Sequence, residues 1–274
     1  AEKPDTDAIN LIQKALLNAK HHAVRMKAAD TLKKAGTPEA YAALKSALSE
    51  TDARVRNAIV RAIGGFLEAD AAQTLRGLVG SEQNPGIGAT ALRALAPWNS
   101  PETRSLLAQS LSRSTFRERI IEGALGAMKT QEDPAHIRPI LSLLDTRKDL
   151  PSQTLALALD TLSSLQRHES EKSAVRERLA RHLNDPRERV RLAAINGLGQ
   201  LEDPKAIALL EPFAERAPSR IETQPAIKAL ERLRSGRKTV EELSTLRNEV
   251  SELRSTSREL RKELDSLKKR TESR

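Results

Sequence analysis

The sequence predicts an all-α solenoid, a row of about seven helix pairs, followed by a long C-terminal coiled-coil helix. Three observations lead there. Helix-start signals recur at Thr37, Asp70, Ser100, Asp133, Ser170 and Asp203, at intervals of 30 to 37 residues. Four of the six stand directly before proline: Pro38, Pro101, Pro134 and Pro204. An oxygen-bearing side chain accepts an orphan amide at such a place, while proline gives up an N–H that would go unpaired. Finally, the apolar spacing changes character at Ser235-Gly236-Arg237-Lys238, which divides the chain into a solenoid over 1–235 and a coiled-coil helix over 236–274.

Each period holds a first helix, a short turn and a second helix, the first pair beginning near Asp5 and the last ending near Arg234. The second helices carry the clearest pattern: VRMKAADTLKKAG from Val24, VRNAIVRAIGGF from Val55 and VRLAAINGLGQL from Val190. Apolar residues three and four apart give each of them one buried stripe. GIGATALRALAPW from Gly86, FRERIIEGALGAM from Phe116 and LPSQTLALALDTL from Leu150 are looser copies. Gly36 and Gly199 fall where a left-handed C-terminal residue is expected. Pro139 and Pro212 lie inside first helices and predict kinks. Pro85, Pro151 and Pro225 fall near second-helix starts, where proline is tolerated.

Beyond Ser235 the repeat is heptad. Leu246, Leu253, Leu260 and Leu267 occupy d, with Leu243, Val250, Ser257 and Leu264 at a. Glu242, Glu249 and Glu263 at g face Arg247, Arg254 and Lys268 at e′, the pairing of a parallel two-stranded coiled coil. The expected dimer seam is therefore Leu243, Leu246, Val250, Leu253, Leu260, Leu264 and Leu267, weakened at its centre by Ser257. Folding back of this helix onto the last repeat is the alternative.

Composition removes whole classes of chemistry. The 274 residues include no cysteine, so disulfides, thiol nucleophiles and cysteine-ligated zinc are excluded. Five residues are aromatic, leaving Ala and Leu to fill the apolar positions, as suits closely packed helices. No apolar run reaches the length of a membrane span, and the choice between cytoplasm and periplasm stays open. The opening Ala1-Glu2-Lys3-Pro4 has no methionine and suggests a processed or excised chain. His168-Glu169-Ser170-Glu171-Lys172 starts like a zinc motif but has lysine where a second histidine belongs. His21 and His22 are adjacent and expected on different helix faces; His136 and His182 stand alone. No cofactor, metal or catalytic constellation is expected.

With the repeats laid out, the chain resembles HEAT repeats, most strongly over DPRERVRLAAINGLGQLEDPKAIALLEPFA from Asp185. The resemblance implies a ladder in which a turn acid meets a helix arginine, for which Glu50 with Arg56 and Asp185 with Arg191 fit; Arg25 has Ala19 at the acid's place. RIETQPAIKALERLR from Arg220, followed by VEELSTLRNEVSELRSTSRELRKELDSL, is similar to the C-terminal HEAT-like region and heptad tail of bacterial zinc aminopeptidases related to aminopeptidase N. That implies a catalytic domain upstream, since its zinc motif H-E-x-x-H has no counterpart here. Trp98 invites comparison with HEAT-like DNA glycosylases, but a single tryptophan after Pro97 fits packing over a repeat junction better than base stacking.

Charge is the remaining clue to function. The net charge of +9 is a small difference between 46 basic and 37 acidic residues. Over the second-helix segments alone there are 18 basic and 8 acidic residues, so the excess concentrates there. In HEAT-like solenoids second helices line the concave face, which makes Arg54, Arg61, Arg93, Arg117, Arg187 and Lys228 the candidate ligand face. The leading expectation is a non-catalytic scaffold for protein partners, with nucleic-acid binding on the basic concave face as the alternative and a DNA glycosylase as a weaker one.

The heptad tail predicts a parallel homodimer held by residues Thr239 to Arg270. Sedimentation equilibrium over a concentration series is expected to show a dimer that Leu253→Lys abolishes, because the substitution buries an unpaired charge. A monomer throughout for the intact chain would contradict it.

Overall fold

A computed structural model describes residues 5–235 together with 249–250. The described residues form helices and connecting turns. They comprise α1 (Thr6–Asn18), α2 (His22–Ala35), α3 (Pro38–Ser46), α4 (Ala53–Ile63), α5 (Ala69–Ser81), α6 (Pro85–Ala94) and α7 (Pro101–Ser110). There follow α8 (Arg119–Gln131), α9 (Ile137–Thr146), α10 (Ser152–Gln166), α11 (Ser173–Ala180), α12 (Glu188–Gln200), α13 (Ile207–Ala214) and α14 (223–235). Odd-numbered helices are the first members of seven pairs, even-numbered ones the second. Of the heptad seam, Leu243, Leu246, Leu253, Leu260, Leu264 and Leu267 lie outside the described residues; Val250 is helical and exposed.

Most starts follow the cap chemistry. Thr37 and Ser100 accept the amides of Ala40 and Thr103 ahead of Pro-initiated α3 and α7. Asp133 and Asp203 accept from Ala135 and Lys205 and open a single 3-10 turn ahead of α9 and α13. Two starts shift. α5 begins one residue before Asp70, with Glu68 at its N-cap, because the Asp70 carboxylate is drawn across the junction to Tyr41 and Lys45. Ser170 precedes α11 by a turn; the Glu171 carboxylate receives the Ser173 amide instead.

The ends differ more. Gly36 closes α2 at φ 62°, as expected of a left-handed cap. Gly199, expected to do the same, lies inside α12, and the left-handed residue after that helix is Glu202 at φ 53°. Glu132 plays the same part after α8, so two Glu-Asp-Pro runs make the same turn. Pro139 falls in the first turn of α9, where amides lack intrahelical partners anyway; Pro212 sits within α13 near its end.

Successive second helices touch along the whole row, α2 to α4 and onward to α12. Small residues permit this. A Cβ on Gly64 would lie 2.6 Å from the Ala94 methyl, one on Gly123 2.7 Å from the backbone of Ala89, and one on Gly199 2.7 Å from the Ala229 methyl. The second helices, which approach this closely, form one layer, here the inner one, and the first helices, which meet one another less, form the outer one. One continuous apolar core runs between the layers, from Ile9 and Leu16 to Leu230 and Leu233. No helix among the described residues is long and apolar enough to cross a membrane.

Gly123→Val should destabilise the fold by about 3 kcal/mol, since the clash is with backbone rather than a movable side chain. Gly77→Ala, in the exposed middle of α5 with no atom within 4 Å of the new methyl, should stabilise by about 0.5–1 kcal/mol. Urea unfolding measures both; equal and small effects would contradict the packing described.

Candidate functional site

The turn between helices in a pair carries one set of junction contacts. Arg56 spans two repeats: its Nη1 donates to the Glu50 carbonyl at 2.7 Å, and its Nε and Nη2 donate to the Glu82 carboxylate at 2.8 and 3.1 Å. Arg191 repeats the arrangement, donating to the Asp185 carbonyl at 3.0 Å and to Glu222 at 2.8 Å. Glu50 and Asp185 are thus joined to Arg56 and Arg191 through main-chain oxygens, while the carboxylate partners stand one repeat further on. The Glu50 carboxylate receives Arg25 at 2.6 Å, so Arg25, which lacks an acid at Ala19, joins the same series. Each arginine holds its Glu82 or Glu222 partner below the ordinary carboxylate range. The series stops where Gly88 and Ile121 replace arginine, and there Arg147 bridges Glu118 and Asp149 instead.

A second set crosses the outer layer, and the sequence pattern had not suggested it. Lys45 reaches Asp70 at 2.8 Å, Arg104 reaches Asp133 at 2.9 Å, and Arg176 pairs with Asp203. In each case a base on one first helix meets an acid at the start of the next, the N-cap Asp133 or Asp203 or the first-turn Asp70. The Asp133 carboxyl is lowered to about 2 by the Ala135 amide, Arg104 and Asn99. A base 25 to 29 residues ahead of an acid near a first-helix start was the available signal.

These pairs occupy many of the basic side chains, and they divide the candidate ligand face. Arg54 chelates Asp52 through Nε and Nη2, and Arg187 chelates Asp185 likewise while donating to the Leu150 carbonyl. Both are turn braces at helix starts. Arg117 lies in the turn before α8 with φ 55°, its guanidinium over the exposed Phe116 ring. Lys228 is exposed on α14, remote in the chain from the rest. Only Arg61 and Arg93 meet, in a depression of about 510 Å³ on the inner layer that they line with Lys33, Asn57, Gly64, Thr90 and Ala94. Burial pulls the Arg93 guanidinium down from its usual value, with Arg119 adding to the effect against Glu122.

Among the described residues no group of three or more His, Asp or Glu side chains converges as a metal site. His21 caps α2 and stacks on His22 at 4.6 Å, so the two rings share a side after all. His136 is buried against Gln131 at 2.6 Å, and burial lowers its pKa. Trp98 packs on the core at a junction, where its carbonyl accepts from Gln131.

Stacked helix pairs with junction arginines and a small-residue inner layer define an α-solenoid repeat protein. The model for HEAT repeats matches residues 1–63, 45–126 and 137–231, well over half the chain, and the chain belongs to that family. No curated protein matches the sequence. Among solved structures, Escherichia coli YibA is 16% identical with a TM-score of 0.54, covering 85% of this chain and 99% of its own. The complex of CpcE and CpcF of phycocyanin lyase from Nostoc sp. gives 17% identity, 85% and 97% coverage and a TM-score of 0.49. Human deoxyhypusine hydroxylase in complex with glycerol gives 18% identity, 84% and 96% coverage and a TM-score of 0.40. At such identities the likeness concerns the fold alone. What the family match establishes for this chain is a HEAT-like α-solenoid.

Arg56→Met should cost about 2 kcal/mol at neutral pH, because the mostly buried Glu82 is left charged without its partner. Glu82 is depressed in the folded state, so its pairing stabilises above the ordinary glutamate pKa and is lost as pH falls through the folded value. The stability gap between variant and wild type should therefore close as the pH falls below the ordinary glutamate range. A gap independent of pH would contradict the assignment.

Proposed function

We propose that the chain docks a protein partner along the face formed by its second helices. The observation that supports this is the gathering of cations on one part of that face. Lys33, Arg61 and Arg93 line a single depression, and Lys33 and Arg93 make no hydrogen bond or ion pair among the described residues, whereas Arg56, Arg104 and Arg176 are paired across junctions. Arg61 has only a 3.6 Å contact with Asp30. Charges left free on a rigid repeat surface serve steering and recognition better than stability.

A finer proposal concerns the whole polypeptide. Repeat order followed by a heptad tail supports a place at the C-terminus of an aminopeptidase-N-like zinc metallopeptidase, with the solenoid bordering the catalytic cleft. An H-E-x-x-H motif upstream in the same reading frame is the expected sign, and its absence would refute this origin. The tail, in this proposal, joins two copies through residues Thr239 to Arg270. Nucleic-acid binding on the inner face is the rival, but α10 supplies no cation between Lys148 and Arg167 and so interrupts any phosphate track.

A photo-crosslinking residue placed at Asn196 on α12, or at Gln109 on α7, tests the docking face in cells. Both positions are exposed. Protein adducts are expected from Asn196 and not from Gln109; adducts from Gln109 alone, or nucleic-acid adducts from Asn196, would overturn the reading.

A further inference from the structure

We infer that the depression among α2, α4 and α6 is a built site for the carboxylates of an acidic peptide segment, which rests on the inner-face docking proposed above. Three cations line it and no acid does. Their stems are seated by glycines: the Lys33 chain lies across Gly65, where a Cβ would come within 2.5 Å of its Cε, and the Arg93 chain lies over Gly126, where a Cβ would stand 3.4 Å from its Cγ. Arg61 projects between them, 54% exposed at its side chain. Such seating limits the rotamers of long cationic side chains before any ligand arrives, which reduces the entropy lost on binding.

The surroundings select the anion. Arg93 is lodged among protein groups and has no counter-charge in hydrogen-bonding range; Glu122, the acid nearest in influence, is turned to Thr154 at 3.2 Å and Arg119 at 3.4 Å. A guanidinium in that position gains most from a carboxylate it can engage through two donors. Asn57 adds a second unmet demand, for its Oδ1 is closed from solvent with no hydrogen-bond partner. No aromatic ring lines the depression to stack a base. Further along the inner layer, Lys129 is paired with Asp160 at 2.6 Å and α10 supplies no cation, so the positive charge of the depression does not run on as an unbroken stripe. An extended segment with two or more Asp or Glu residues fits that local patch.

Fluorescence anisotropy with a labelled hexaglutamate peptide at low salt tests this on the full chain. The wild type should bind, and Arg61→Gln/Arg93→Gln should weaken binding about tenfold or more. Lys33→Gln should weaken it by about threefold, and Lys228→Gln, outside the depression, by less than about twofold. Circular dichroism checks that each variant keeps its helices. No binding by the wild type, or unchanged binding by the folded double variant, overturns the site. So does a labelled oligothymidylate that binds more tightly than the peptide and is lost in the same variants. If the peptide fails while crosslinks from Asn196 persist, the ligand assignment falls and the docking face stands; loss of both removes the docking face as well.

Discussion

The structure depends on how closely one second helix can approach the next. Among the described residues no strand ties distant parts together, the sequence has no cysteine for a disulfide, and each pair is held by its neighbours. At the inner layer the contact is made between Gly64 and Ala94, Ala89 and Gly123, and Gly199 and Ala229, where a single added methyl group would collide. First helices meet one another less than second helices do. Among the described residues the inner surface is formed of second-helix side chains with no further layer over them.

Polar contacts at the junctions act on register more than on gross stability. Arg25, Arg56 and Arg191 connect one turn to the next, and Lys45, Arg104 and Arg176 connect one first helix to the next. Partly exposed pairs of this kind contribute modestly each, but a slip of one helix along another would break several at once. Their placement also separates the bases that brace junctions from Lys33, Arg61 and Arg93, which line one depression where α2, α4 and α6 meet.

The solenoid was legible because its signals are local and repeated. Capping residues before proline mark Thr37, Ser100, Asp133 and Asp203, and the Val-Arg starts at Val24, Val55 and Val190 mark second helices. What the sequence left obscure depends on the neighbouring repeat. Asp70 left its cap for Tyr41 and Lys45. Gly199 stays within α12 because Ala229 presses on it rather than because the helix ends. Arg56 and Arg191 look ahead to Glu82 and Glu222, a direction that a turn acid a few residues upstream could not reveal. The six candidate ligand residues were chosen by charge and helix position; only Arg61 and Arg93 share a depression, because Arg54 and Arg187 have acids two residues before them that their side chains fold back to chelate.

The proposed docking depends on a rigid inner layer that presents Lys33, Arg61 and Arg93 together. Burial supports that rigidity: α8 and α10 are covered along most of their lengths, whereas α11 and α13 bury only two residues each. Native-state hydrogen exchange resolved by helix is the most direct test. The account predicts slowest exchange in α4, α6, α8, α10 and α12, and faster exchange in the first helix of each pair. Equal protection in both layers, or slower exchange in the first helices, would contradict the claim that the close-packed second helices hold the stack together.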